Sequence, residues 1–140
     1  MTISVDQWIF DAAVSHLTTE ASAEEIYLGP TVYDKVVGCD MWLEVIVTTA
    51  FTDSSSNSTM TVTLETKNAG GSYATALTLG TFAALSAAGT RLIARIPEGV
   101  LTKSYAQLKY TVANGDLTTG AFAAQIKFSN PVTKDYAVAQ

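Results

Sequence analysis

The chain has 140 residues, 48% of them hydrophobic and 15% charged, with a formal net charge of −5, one cysteine and one histidine. That length suits one domain burying ~68–70% of its unfolded surface. The lone Cys39 excludes an intrachain disulfide, the eight scattered Lys and Arg argue against phosphate-backbone binding, and no apolar run approaches the ~20 residues of a membrane span.

Charge is unevenly spread. Residues 1–40 hold seven acids against Lys35, whereas residues 41–140 hold six acids against seven bases. The acidic third reads either as a solvated segment or as an arm that docks onto a basic partner surface. The charged fraction lies below the ~25% typical of globular chains, which points to surface hidden in an oligomer or against a partner. With no basic-apolar-small leader and a single cysteine, folding in a reducing cytoplasm is expected. The sequon Asn57-Ser58-Thr59 then reads as loop chemistry.

Residues 1–25 mix Ala, Ser and Thr with acids around Trp8-Ile9-Phe10. Ser22-Ala23-Glu24-Glu25 has capping-box spacing, but too few apolar positions follow, so an extended arm is expected there. Ile26-Tyr27-Leu28 reads as a short strand stopped by Gly29-Pro30. A long strand is expected over Met41–Phe51, with Leu43, Val45 and Val47 on one face and Trp42, Glu44 and Ile46 on a partly covered other face. Residues 52–58 form a polar loop of the kind that stays mobile.

The clearest strand is Thr59–Lys67. It buries Met60, Val62 and Leu64 and exposes Thr61, Thr63 and Glu65. After the Gly70-Gly71 turn, a weaker strand covers Ala76–Phe82, then Arg91–Ile96, with Arg91, Ile93 and Arg95 on one face. Pro97-Glu98-Gly99 suits a tight turn. Tyr105–Ala113 points Leu108, Tyr110 and Val112 inward, and Asn114-Gly115 is the strongest turn signal. Phe122, Ala124, Ile126 and Phe128 line the last clear strand. Seven or eight strands with turns every ~8–12 residues predict an all-β, two-sheet antiparallel sandwich or jelly roll.

Reactive chemistry is sparse. His16, Glu20 and Glu24 have helical i, i+4, i+8 spacing, but they form a thin ligand set on a weakly helical segment, and no metal or other cofactor is expected. Glu24-Glu25 implies no pocket, and Ser54-Ser55-Ser56 lacks a held base, so no catalytic residue is expected. Arg91 and Arg95 read either as a docking stripe or as a solvated face. Trp8, Tyr27, Tyr33, Trp42, Tyr73 and Tyr136 lie off the inferred core, where aromatics fill interfaces between copies or, less often, stack on sugars.

Several signals occur in order: Phe10-Asp11-Ala12, Leu28-Gly29, Gly38, Leu43-x-Val45-x-Val47 with Phe51, and the run from Thr61 to Thr66. Gly89 comes next with Leu92 and Ile93, then Pro97-Glu98-Gly99, Tyr105-x-x-Leu108-x-Tyr110-x-Val112, and Gly120. Together they resemble the jelly-roll capsid cement (decoration) proteins of short-tailed bacteriophages, that of the Bordetella podophage among them, over most of residues 8–128. The chain departs from that pattern at Tyr27, in the loop 52–58 and after Ser129.

The resemblance implies a non-enzymatic virion protein, made in the host cytoplasm, that sits on the outer capsid surface and bridges neighbouring major capsid proteins to stabilise the head. It also implies a small homo-oligomer, a dimer being favoured over a trimer, with no nucleic-acid or membrane partner. The expected layout is an N-terminal arm at 1–25, a jelly roll at 26–129 and a tail at 130–140, with residues 1–28 expected to order only on docking. Candidate partner-binding residues are Trp8, Phe10, Asp11, Glu20, Glu24, Glu25, Trp42, Arg91 and Arg95. The alternative is a carbohydrate- or receptor-binding sandwich of a virion, which an exposed coplanar aromatic pair on one sheet face favours.

Overall fold

The computed structural model describes residues 9–29 and 41–127, which form nine strands and no helix. These are β1 (Ile9–Ser15), β2 (Glu20–Ala21), β3 (Ile26–Tyr27), β4 (Trp42–Thr52), β5 (Thr59–Lys67), β6 (Ala74–Phe82), β7 (Arg91–Arg95), β8 (Tyr105–Ala113) and β9 (Thr119–Lys127). Every pairing is antiparallel. The first sheet runs β1-β9-β4-β7. The second runs β2-β8-β5-β6, with β3 also on β8. The all-β sandwich expected from alternation is therefore present.

Period-2 patterning explains the core. Leu43, Val45 and Val47 of β4 and Phe122, Ala124 and Ile126 of β9 turn inward from the first sheet. Met60, Val62 and Leu64 of β5 and Ala106, Leu108 and Tyr110 of β8 meet them from the second. Phe51, Phe82 and Phe122 sit with ring centroids 5.3–5.7 Å apart, two of the three pairs edge-on, as aromatic quadrupoles prefer. Asn114 (φ 69°) and Gly115 (φ 104°) both take positive φ, a conformation that these residue types adopt readily. Ser58 Oγ ties the turn down by donating to both of their carbonyls.

The expected arm over 1–25 is corrected for the residues described. β1 pairs with β9 along the edge of the first sheet. Two register shifts, around Phe10 and around Ala12-Ala13, are β-bulges, and Ala13 has φ 61°. The first bulge lets consecutive Phe10 and Asp11 both turn inward. β2 and β3 make one interrupted strand along β8, opposite Tyr110-Lys109 and Ala106-Tyr105.

At the interruption the chain bends towards β1, where Glu24 N donates to Phe10 O (3.0 Å) and Ala23 N to Asp11 Oδ1 (2.8 Å). Ser22 caps no helix. Instead its backbone and hydroxyl exchange hydrogen bonds with Leu108. The chain from β1 to β3 thus stitches the two sheets together, because its backbone groups find partners on both.

The loop 52–58 is also more ordered than its composition suggests. Asp53 Oδ2 accepts from Ser55 N and Asn57 N. Desolvation pushes the Asp53 pKa up, but the hydrogen bonds from Asn57, Ser58 and Ser55 outweigh it and hold the carboxyl below its ordinary value.

Candidate docking surface

The nine candidate partner-binding residues divide into separate places. Trp8 lies outside the described residues. Phe10 is fully buried in the core, and Asp11 has 1% of its surface exposed. Neither can reach a partner, so both expectations are corrected: the bulged strand turns them inward. Glu20 is exposed and occupied by His16 and Thr18. Glu24 and Glu25 stand exposed on the bend after β2.

Trp42, Arg91 and Arg95 share the outer face of the first sheet. Register sets Trp42 opposite both Arg95 and Lys127, Glu44 opposite Ile93 and Gln125, and Ile46 opposite Arg91 and Ala123. Arg91 Nη1 donates to Glu44 Oε2 at 2.9 Å, and Lys127 Nζ lies 3.0 Å from Oε1. The Glu44 side chain is only 1% exposed, although its cations are 39% and 36% exposed. Burying a carboxylate demands compensation, and here two cations supply it from β7 and β9. Arg91 therefore has an internal partner, while Trp42, Ile46 and Ile93 leave a half-buried apolar stripe between charges.

A second feature is a groove of about 420 Å³ between β1 and the bend. Ile9, Ala12, Val14, Ala23 and Ile26 wall it, and Glu24 and Glu25 stand at it. Next to it, on the second sheet, Glu25 accepts from the Tyr73 hydroxyl and lies 3.9 Å from Lys67. Burial pushes the Tyr73 hydroxyl pKa up, and Glu25 pushes it further. The Lys67 ammonium stands over the Tyr73 and Tyr105 rings at 4.9 and 5.5 Å.

Tyr27, 56% exposed, packs on Tyr105 at 5.1 Å with the ring planes 48° apart. That tilt does not give the coplanar pair a sugar platform favours. Sequence reasoning missed Glu44, Lys67, Tyr105 and Lys127 as members of these surfaces. Their only signal was polarity on outward strand positions, which every solvated face shares.

The third cluster is internal. His16, 1% exposed, stacks on Tyr110 with centroids 4.2 Å apart and planes 19° apart. Its Nδ1 lies 2.9 Å from Glu20 Oε2 and its Nε2 3.1 Å from Asp11 Oδ1, the latter an ion-pair contact off hydrogen-bond geometry. Burial pulls the imidazole pKa down, but the two carboxylates outweigh it and hold it above its ordinary 6.5. Tyr110 donates to Asp11 Oδ2 at 2.7 Å, and burial, then Asp11, pushes its hydroxyl pKa well up.

The helical i, i+4, i+8 spacing of His16, Glu20 and Glu24 is not realised, since the segment forms strands and a turn. A turn between β1 and β2 brings Asp11, His16 and Glu20 together instead. The two carboxylates face opposite ring nitrogens rather than one point, and no group of three metal-ligating side chains converges among the described residues.

The family model of Bbp16 matches residues 10–126, which is most of the chain and spans β1 through β9. The family's name takes the form used for Bordetella phage proteins, which marks it as phage-related. No curated protein matches the chain. The matched span carries both sheets, the bend and the outer face with Glu44, and on that extent of agreement the chain belongs to the Bbp16 family.

Proposed function

We propose that this protein is a non-catalytic capsid cement protein, which binds the outer surface of a phage head and bridges neighbouring major capsid proteins to stabilise the shell. The observation that carries the reading is membership of a phage-related family across the whole sandwich. Two surface features suit the role. The stripe of Trp42, Ile46 and Ile93 between Arg91, Arg95 and Lys127 offers apolar area within a charged rim. The bend with Glu24 and Glu25 offers an acidic contact beside an apolar groove.

Many modest contacts brace a shell because each one makes its neighbours effectively intramolecular. A small homo-oligomer, a dimer by preference, would present each surface more than once. Residues 9–25 belong to the folded body, and the expectation of an arm that orders on docking lies, for residues 1–8, outside the described residues.

The test is electron cryo-microscopy of heads mixed with the purified protein, together with co-sedimentation over a salt series. Regular density on the outer surface is expected, with binding that weakens as salt rises because the acidic contact is screened. Heads that stay bare at every salt concentration would refute the reading.

A further inference from the structure

The His16 cluster lies inside the fold, and its geometry is argued without reference to the proposed function. An imidazole buried among aromatic rings has two nitrogens to satisfy, and here each faces a carboxylate oxygen. A neutral ring carries one N–H and can donate to only one of them, leaving the other nitrogen's lone pair against a carboxylate. Both contacts are attractive only in the doubly protonated ring. Two carboxylates then flank one cation, leaving the cluster a net −1: Asp11 faces the ring from β1 and Glu20 from β2, the neutral Tyr110 ring stacks on it from β8, and β9 contributes the uncharged Phe122 ring at 6.0 Å.

Asp11 is the hub. Besides His16, it accepts from Tyr110 of the opposite sheet and from the backbone of Ala23 in the acidic bend. A change at His16 is therefore felt by β1, by β2 and by the bend together.

We propose that His16 is a proton-operated clasp, which in its doubly protonated form fastens residues 9–25 across both sheets and on losing a proton lets that segment loosen. Linkage sets the direction. The folded imidazole holds its proton more tightly than the free group, so the clasp is fully closed below about pH 6.5 and opens as pH rises through the higher folded value. Loosening would disturb the Glu24-Glu25 bend and the groove it borders, while β4, β5 and their core partners stay in place.

The chain's single histidine makes the experiment unambiguous, because all imidazole signals come from His16. The full-length protein is titrated from about pH 5.5 to 9 by nitrogen-15 NMR, with amide hydrogen-exchange protection measured at each pH. The expected result is a ring predominantly protonated on both nitrogens at pH 6.5, titrating above the free value. Over the same interval, protection of residues 9–25 should fall relative to β4 and β5, by about tenfold for each unit by which the measured imidazole pKa exceeds that of the free group.

His16→Gln, which carries no titrating proton, should show a flat ratio of protections over that interval. A ring neutral at pH 6.5 overturns the proposal, as does a ring that titrates while residues 9–25 and β4 lose protection in parallel. If the variant does not fold, the wild-type titration decides alone.

Discussion

The Tyr110 hydroxyl reaches across the sandwich to Asp11, donating at 2.7 Å between residues 99 apart in the chain and on opposite sheets. Tyr110 is inward-facing on β8, where a phenylalanine would fill the same volume. The hydroxyl is there for the carboxylate, and the carboxylate is there because a bulge turned β1 inward.

Tyr110→Phe should therefore be more costly than its size suggests. It removes a charge-assisted hydrogen bond from a buried carboxylate and is expected to lower stability by about 1.5–3 kcal/mol. Urea unfolding with an unchanged m-value would measure it. A loss under about 0.5 kcal/mol would mean that the bond does not matter to folding.

Phe10 and Glu24 give opposite expectations, although both stood together as docking candidates. Phe10→Ala opens a cavity in a closed core and should cost about 3–5 kcal/mol. Glu24→Ala removes an exposed side chain and should stay within about 0.5 kcal/mol while weakening head binding. Denaturant midpoints for the two variants, with co-sedimentation for the second, check the pair.

Ala13 holds the left-handed conformation at the second bulge of β1, which costs an L-residue about 1–2 kcal/mol. Ala13→Gly relieves that strain but adds freedom to the unfolded chain, worth about 0.5–1 kcal/mol in the other direction. The expected net is a stabilisation of about 0.5 kcal/mol, read as a higher urea midpoint. A destabilisation of about 1 kcal/mol would indicate that β1 has no such bulge.

Glu44 and Arg91 should be coupled, though modestly. Arg91 is more than a third exposed, so solvent screens the pair, and a double-mutant cycle of Glu44→Gln with Arg91→Gln is expected to give about 0.5–1 kcal/mol. Additivity of the two single variants within about 0.3 kcal/mol would show that the ion pair contributes nothing.

Alternation by itself determined most of this protein. Thr59–Lys67, Tyr105–Ala113 and the inward set Leu43, Val45 and Val47 are legible because a strand's two-residue period sorts apolar from polar without reference to partners. Asn114-Gly115 is legible for a similar reason, since positive φ is a local demand. The phage family came from resemblance rather than from alternation, and the family match over residues 10–126 supports it.

Only the tertiary structure decided the role of residues 9–25. Bulges break the period of β1, so Phe10 and Asp11 both face inward and the segment reads as an unpatterned arm. The Tyr110 partner of Asp11 and both cations on Glu44 come from strands far away in sequence, and a lone charged residue carries no mark of which distant group will meet it. Pairing of buried charge is a property of the assembled sheets, and there the sequence ceases to be readable one segment at a time.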